Sequence, residues 1–340
     1  MSIIQLGRTG LYTEQNAFGA LPIQRTPKAD AVRLLRRAYE GGMTYFDTAR
    51  AYTDSEEKLC AAFSGMRDKV MIATKTMAKT AEGFWTDLHT SLRTLGTDYL
   101  DLYQLHMPPF CPVPGGEDGL YDALLEAKRQ GKVRHIGFTA HRLDVAHEAI
   151  KSGLYETLMF PFSYISGEQE LGVARAALDA GMGFIAMKAL SGGLLTNSAA
   201  ACAWMLGQKD VLPIWGIQRE RELEEFLSYI KNPPVLTDEL QAVIEADRKA
   251  LQGEFCRGCG YCMPCPQGIN IPTCARASVM MRRMPPDNFL SESGQAMMKK
   301  IESCIHCGKC AARCPYQLDT PALLERNYTD FKEILAGKPF

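Results

Sequence analysis

Two hydrophobic periods alternate along roughly the first 230 residues. Short apolar runs fall at 16–21, 43–47, 69–75, 99–105, 133–138, 156–160, 183–187 and 211–216. Runs of that length predict buried strands. Between them lie stretches whose apolar residues recur every three or four positions. PKADAVRLLRRAYEGG (27–42) has a proline at its start and a glycine pair at its end, and GLYDALLEAKRQGK (119–132) stops at Gly131. Both carry the period and the punctuation of helices. Eight strand–helix units in series predict an α/β fold closed as a (β/α)8 TIM barrel. A doubly wound open sheet is the alternative, but it usually has a glycine-rich phosphate turn after its first strand. NAFGALPIQ (16–24) contains no GxGxxG.

The pattern changes after residue 231. KNPPV (231–235) ends the last barrel helix, and TDELQAVIEADRKAL (237–251) reads as one more helix. Short pieces rich in Cys, Pro and Met follow, with little periodicity. The expected division is a barrel at 1–235, then a linker helix and a small α-helical domain at 236–340.

Composition narrows the setting. The 340 residues are 46% hydrophobic and 23% charged, with a net charge of −1, as in ordinary globular proteins. That balance gives no basic field for nucleic acid. No apolar run reaches the ~18 residues a spanning helix needs, and MSIIQLGRTG lacks the basic and apolar regions of a signal peptide. The expectation is a cytoplasmic protein without a nucleic-acid or membrane partner. Cysteines in that reducing compartment more often serve metals or chemistry than disulfides. Nine of the 12 cysteines lie between Cys256 and Cys314.

Those cysteines form two runs. CRGCGYCMPCP holds Cys256, Cys259, Cys262 and Cys265 before Pro266; CIHCGKCAARCP holds Cys304, Cys307, Cys310 and Cys314 before Pro315. The second run is the C-x2-C-x2-C-x3-C-P pattern of bacterial iron–sulfur proteins, in which the fourth cysteine serves the other cluster. Two intervening residues let a tight loop aim successive thiolates at one compact cube. The expectation is two [4Fe-4S] clusters with crossed ligation. One would take Cys265, Cys304, Cys307 and Cys310; the other would take Cys256, Cys259, Cys262 and Cys314. The first run is one residue short before its fourth cysteine, which makes Cys274 a spare candidate. Zinc and disulfides are the competing readings, but two four-cysteine runs each closed by Cys-Pro are not the usual zinc layout. Cys60 and Cys202 read as helix core residues, and Cys111 falls in a loop.

Barrel active sites form at the C-terminal ends of strands. FDTARAY (46–52) puts Asp47 and Tyr52 there, VMIATKT (70–76) puts Lys75, and YLDLYQLH (99–106) puts His106. A free tyrosine titrates near pH 10. A neighbouring lysine would lower that value, an aspartate would hold the lysine charged, and a histidine could polarise a carbonyl. Singly, each has a plain structural role: a helix cap, a solvated strand end, a core histidine. As a set at three adjacent strand ends they read as a catalytic site in which Tyr52 protonates a carbonyl oxygen.

LGRTGL (6–11), FDTARAY, the lysine of VMIATKT, DLYQLH and GKVRHIGF (131–138) make residues 1–230 resemble the aldo-keto reductases. With its cysteine runs, the whole chain resembles the subgroup carrying a C-terminal ferredoxin-like [4Fe-4S] domain. The resemblance implies Asp47, Tyr52, Lys75 and His106 as a catalytic tetrad, with Tyr52 the general acid. It also implies a nicotinamide dinucleotide, NAD(P)H, held by later strand ends. Family members use a Ser-Asn pair, a Gln and an aromatic there; this chain has Thr139 and Ala140, Met159, and Met187. Glu222 and Phe226 stand near positions that are often Arg and Asn. Thr139, His141, Lys188, Gln218 and Arg219 are the candidates that remain for the cofactor.

Three functional readings follow. The first is an oxidoreductase that reduces a small carbonyl substrate with NAD(P)H. The second is a reductase whose clusters take electrons from a ferredoxin or flavodoxin. The third is a redox sensor or electron-transfer protein on a non-catalytic barrel.

Overall fold

The computed structural model describes residues 1–251, 256–283 and 285–340. The chain divides into two compact units, Met1–Ile244 and Glu245–Phe340.

The first unit opens with an antiparallel hairpin, β1 (Ile3–Gln5) and β2 (Tyr12–Glu14). The barrel follows as β3 (Ala17–Gly19), α1 (Lys28–Glu40), β4 (Tyr45–Asp47), α2 (Ser55–Phe63), β5 (Met71–Thr76), α3 (Ala81–Leu95), β6 (Leu100–His106) and α4 (Leu120–Arg129). Then come β7 (Val133–Thr139), α5 (Leu143–Ser152), β8 (Thr157–Pro161), α6 (Glu168–Asp179), β9 (Gly183–Met187), α7 (Ser198–Leu206), β10 (Val211–Gly216) and α8 (Glu220–Lys231). β3 to β10 are parallel neighbours, and β10 pairs back onto β3 to close the barrel. All eight apolar runs read from the sequence are strands. The hairpin has no counterpart in that reading, because three-residue strands are too short to show a period.

Side chains alternate across each strand. Ala17, Tyr45, Ala73, Leu102, Met159, Ile185 and Leu212 point into the barrel and form one buried cluster with Ile4 and Leu6 of the hairpin segment. Gly7 bridges to Met182, just before β9, so the hairpin closes the end where the strands begin. The opposite end is left for the strand C-termini.

α9 (Asp238–Leu251) carries the chain into the second unit. There follow α10 (Ile271–Cys274), α11 (Ala277–Arg283), α12 (Asp287–Leu290), α13 (Glu292–Lys299), α14 (Lys309–Ala312) and α15 (Thr320–Leu335). Ile269, Ile271, Met281, Phe289, Met298, Leu324 and Phe331 are among the residues of its own buried core. α15 is a full amphipathic helix that the sequence reading passed over. Among the described residues no helix is long and apolar enough to cross a membrane.

Candidate active site and cysteine-lined cavities

The inward rows of the barrel position the first site. Two residues beyond Tyr45, Ala73 and Leu102 come Asp47, Lys75 and Gln104, and two beyond Gln104 comes His106. Registry aligns Asp47 with Ala73 and Lys75 with Gln104 across neighbouring strands. The chain past β4 is held to β5, since Thr48 N donates to Ala73 O and Arg50 N to Lys75 O at 2.8 and 3.0 Å. This segment brings Tyr52 over the strand ends. Arg50 pairs with the buried Glu56 carboxylate, which also accepts from Thr74 and Ser91 hydroxyls at 2.7 Å each.

Lys75 is 1% exposed, as is Asp47. The lysine Nζ donates to Asp47 Oδ1 and to Thr48 O at 2.7 Å. Asp47 Oδ2 accepts from Gln104 Nε2 at 3.4 Å. Lys75 Nζ stands 5.1 Å from the Tyr52 ring centre, and the Tyr52 and His106 rings meet edge-on at 5.8 Å and 81°. All four sequence-predicted residues are therefore together. Gln104 is an addition. Its place two residues before His106 in YLDLYQLH marks it as sharing the inward face.

Electrostatics within the group differ from the sequence expectation. Burial raises the Tyr52 pKa above its ordinary value, and the Lys75 charge only opposes that rise; a net lowering by lysine was expected. The expectation counted the charge but not the removal of water, which penalises a phenolate strongly. Burial also works against the Lys75 ammonium, but Asp47 and Tyr52 outweigh it and leave its pKa raised. Burial, with a smaller push from Lys75, holds the His106 imidazole neutral by driving its pKa down to about 3. His106 Nδ1 is buried without a hydrogen-bond partner among the described residues.

The candidate cofactor positions have mixed fates. Thr139 Oγ1 accepts from Met107 N at 2.8 Å, across the ends of β6 and β7. His141 is 9% exposed, and Lys188 follows β9 with φ +58°. Gln218 Oε1 is buried with no partner among the described residues. Arg219 caps the start of α8 and lies close enough to Arg25 to add to the lowering that burial imposes on Arg25. Met159 belongs to the buried barrel cluster. Phe226 is a core residue stacked on Trp215 at 4.5 Å, not a surface position for an adenosine. A shift of one or two residues carries a helical position from the surface to the core face, and sequence registers are uncertain by about that much.

In the second unit the cysteines surround two cavities. One is lined by Cys262, Cys265, Cys304, Cys307 and Cys310. The other is lined by Cys256, Cys259 and Cys314, and shares Cys262 with the first. The remaining walls include Ile269, Ile271 and Leu324 in the first and Ile271, Leu318 and Leu323 in the second. Thiol donors in an apolar wall suit iron–sulfur ligation. None of the twelve cysteines is in a disulfide. Cys274 is fully buried and lines neither cavity; its thiol faces Met297 O at 3.9 Å. Cys202 is a core residue, whereas Cys60 is half-buried.

Comparison with known proteins bears on both units. The model of the aldo/keto reductase family matches residues 13–201, and that of a 4Fe-4S dicluster domain matches residues 255–319. "Aldo-keto reductase YhdN" of Bacillus subtilis is 31% identical over 216 residues, covering 57% of this chain and 61% of its own. "Uncharacterized oxidoreductase YqkF" of the same organism is 29% identical over 180 residues, covering 49% and 58%. The chain thus spans about three fifths of the length of these relatives. Two solved structures share the fold. The holo form of aldo-keto reductase AKR11C1 from Bacillus halodurans has a TM-score of 0.64 at 22% identity, over 73% of this chain and 96% of that one. An aldo-keto reductase from Klebsiella pneumoniae, in complex with NADPH, has a TM-score of 0.62 at 20% identity, over 72% and 95%. With more than half of its residues matched and an iron–sulfur domain following the barrel, the chain belongs to the aldo/keto reductase family.

Proposed function

We propose that the barrel reduces an aldehyde or ketone with Tyr52 as proton donor and NAD(P)H as hydride source, and that the second unit holds two [4Fe-4S] clusters. The observation that carries the first half is the meeting of Tyr52 with Lys75 and His106 above a buried Lys75–Asp47 pair. A carbonyl oxygen placed against Tyr52 and His106 would find a protonated phenol and a neutral imidazole. The bound nicotinamide would supply hydride to the carbonyl carbon. Tyr52 then gives its proton to the oxygen as negative charge develops there. The phenolate left behind faces the Lys75 ammonium, which offsets part of the cost of a buried anion. Asp47 keeps that ammonium charged and in place.

Two features of the chain suit a dinucleotide. Gln218 Oε1 is a buried acceptor without a partner among the described residues, ready for an amide donor. Arg25 and Arg219 put two cations near the start of α8, where a helix favours anions. Thr139, His141 and Lys188 complete the proposed set. Cys262 lines both cysteine-lined cavities; with it assigned to the second, each offers four thiolates for one cluster, in the crossed grouping.

A second reading takes electrons from a ferredoxin or flavodoxin through the clusters. The dicluster domain favours it. Anaerobic protein assayed on aldehydes and ketones separates the two. Turnover with NADPH or NADH supports the first; turnover only after dithionite reduction supports the second. In either, Tyr52→Phe should lower kcat about 10²–10⁴-fold, as expected for loss of a general acid. Unchanged kcat in that variant would overturn the catalytic assignment.

A further inference from the structure

Charge is distributed unevenly around the two cysteine-lined cavities. Lys309 lines the first cavity but is exposed, as are His306 and Cys307. His306 also has a carboxylate neighbour, Glu325, at 3.7 Å. Water and salt screen charges so placed. Beside the second cavity the cations are half-buried guanidiniums. Arg257 is in its wall and lies over the Tyr316 ring at 4.4 Å.

Arg276 is held more tightly. Its Nε donates to Pro272 O at 2.8 Å, which turns the fork back toward the first cysteine run. A Cβ added to Gly258 would stand 2.6 Å from its Cζ and 2.8 Å from one terminal nitrogen. The guanidinium thus occupies the space a side chain at 258 would need. Gly258 has φ +76°, a backbone that favours glycine. The residue between Arg257 and Cys259 is therefore a glycine for two reasons, and one is to admit Arg276. Cys256 and Cys259 act electrostatically on this arginine. Arg276 stands behind the wall of the second cavity, against Gly258, and among the described residues no arginine lines the first.

We infer that Arg276, admitted by Gly258, is a positioning charge that raises the reduction potential of the cluster held by Cys256, Cys259, Cys262 and Cys314, and of that cluster alone. A one-electron reduction adds one negative charge to the cluster and moves no bond or proton. A fixed cation out of bulk water lowers the energy of the reduced state relative to the oxidised one. Net charge, nearby hydrogen bonds and exposure are the levers that set such potentials, and a guanidinium stays protonated throughout. The electron comes from an external one-electron carrier, for which dithionite stands in. The two clusters are then unequal, and the arginine-flanked one holds an arriving electron longer.

The inference rests on the reading that both cavities hold clusters, and the test separates the two. Full-length protein is purified anaerobically and assayed for iron and sulfide. It is then titrated with dithionite, with electron paramagnetic resonance as the readout. Lack of cluster iron in the native protein would sink the cluster reading itself. Given two clusters, Arg276→Gln should move one midpoint to more negative potential and leave the other in place. At least a tenfold change in the reduced-to-oxidised ratio at fixed potential is expected, about 59 mV for a one-electron couple. The moving signal should be the one that Cys256→Ser perturbs. Arg276→Lys, which keeps the charge, should shift it less. Gly258→Ala, which retains the arginine but displaces it, should shift it in the same direction as Arg276→Gln. Equal movement of both midpoints, no movement, or a lysine variant that shifts as far as the glutamine variant would overturn the role of Arg276.

Discussion

The Lys75 ammonium is enclosed with Asp47, the Thr48 carbonyl and the Tyr52 ring as its neighbours. A buried pair of this kind contributes little net stability. Its effect is on protonation. The Tyr52 pKa is raised, with burial outweighing Lys75, so the phenol remains an acid across neutral pH. His106, held down to about 3, remains uncharged over the same range. A group with a raised pKa acts as an acid below that value and loses the role as pH rises through it. Tyr52 and His106 are therefore expected to add no limb to the kcat/KM profile across neutral pH, with Tyr52 bringing a fall only in the alkaline range. A limb with a midpoint near 6.5, the ordinary histidine value, would show His106 to be titrating. His106→Ala should reduce kcat by about 10²–10³, the typical loss of one polarising donor, without creating such a limb.

At the level of elements, strand alternation and the loops do different jobs. Gly137 on β7 shows how finely the interior is fitted: a Cβ there would meet Thr157 Oγ1 at 2.4 Å and Gln104 Cγ at 2.9 Å. Gln104 reaches Asp47 because β7 presents no side chain at that point. At the other end of the strands, Glu156 ties several elements together. It accepts from Lys128 of α4 at 2.7 Å and Ile136 N of β7 at 2.9 Å, and pairs with His135 Nδ1 at 2.8 Å. Burial opposes its charge, but these partners prevail and bring its pKa down to about 2. The pKa is depressed on folding, so the stabilisation is present above the unfolded carboxylate value near 4.3. It is lost as pH falls through that value toward 2. Its size is about 2–3 kcal/mol by linkage. Glu156→Gln should lower the melting temperature at pH 7 and flatten its fall between pH 5 and 2. Parallel acid curves for variant and native protein would argue against this role. Glu156 immediately precedes β8; only the closed barrel brings α4 and β7 to it.

On the scale of the whole molecule, the chain joins a unit whose core is a barrel of eight paired strands to one whose core is small and flanked by cysteines. Cys256, Cys262, Cys265, Cys304, Cys310 and Cys314 all pack against that second core. Cluster ligation and folding are therefore expected to be linked, as metal binding and folding are in small domains generally. Electron paramagnetic resonance of anaerobic variants, with iron and sulfide analysis, checks the crossed ligation. Cys314→Ser should perturb the same resonance signal as Cys256→Ser, and Cys265→Ser the same signal as Cys304→Ser. Pairing of Cys314 with Cys304 would mean each run serves its own cluster. Cys274→Ser should leave iron content unchanged.

The strands, their order and the four polar strand ends could be read from the chain because each depends on local pattern. A run of apolar residues must be buried, and a period of two then decides which residues share the inward face. The cysteine spacing is local in the same sense. What the sequence could not supply depended on neighbours distant along the chain. The Gln104 contact with Asp47 and the approach of Arg276 to Gly258 are of this kind; the hairpin was missed because its strands are too short to show a period, and the local pattern of α15 was passed over. The protonation of the site also depends on distant neighbours. Sequence places a lysine near a tyrosine and so favours a lowered pKa. The folded barrel encloses the lysine and half-buries the tyrosine, and desolvation reverses the sign.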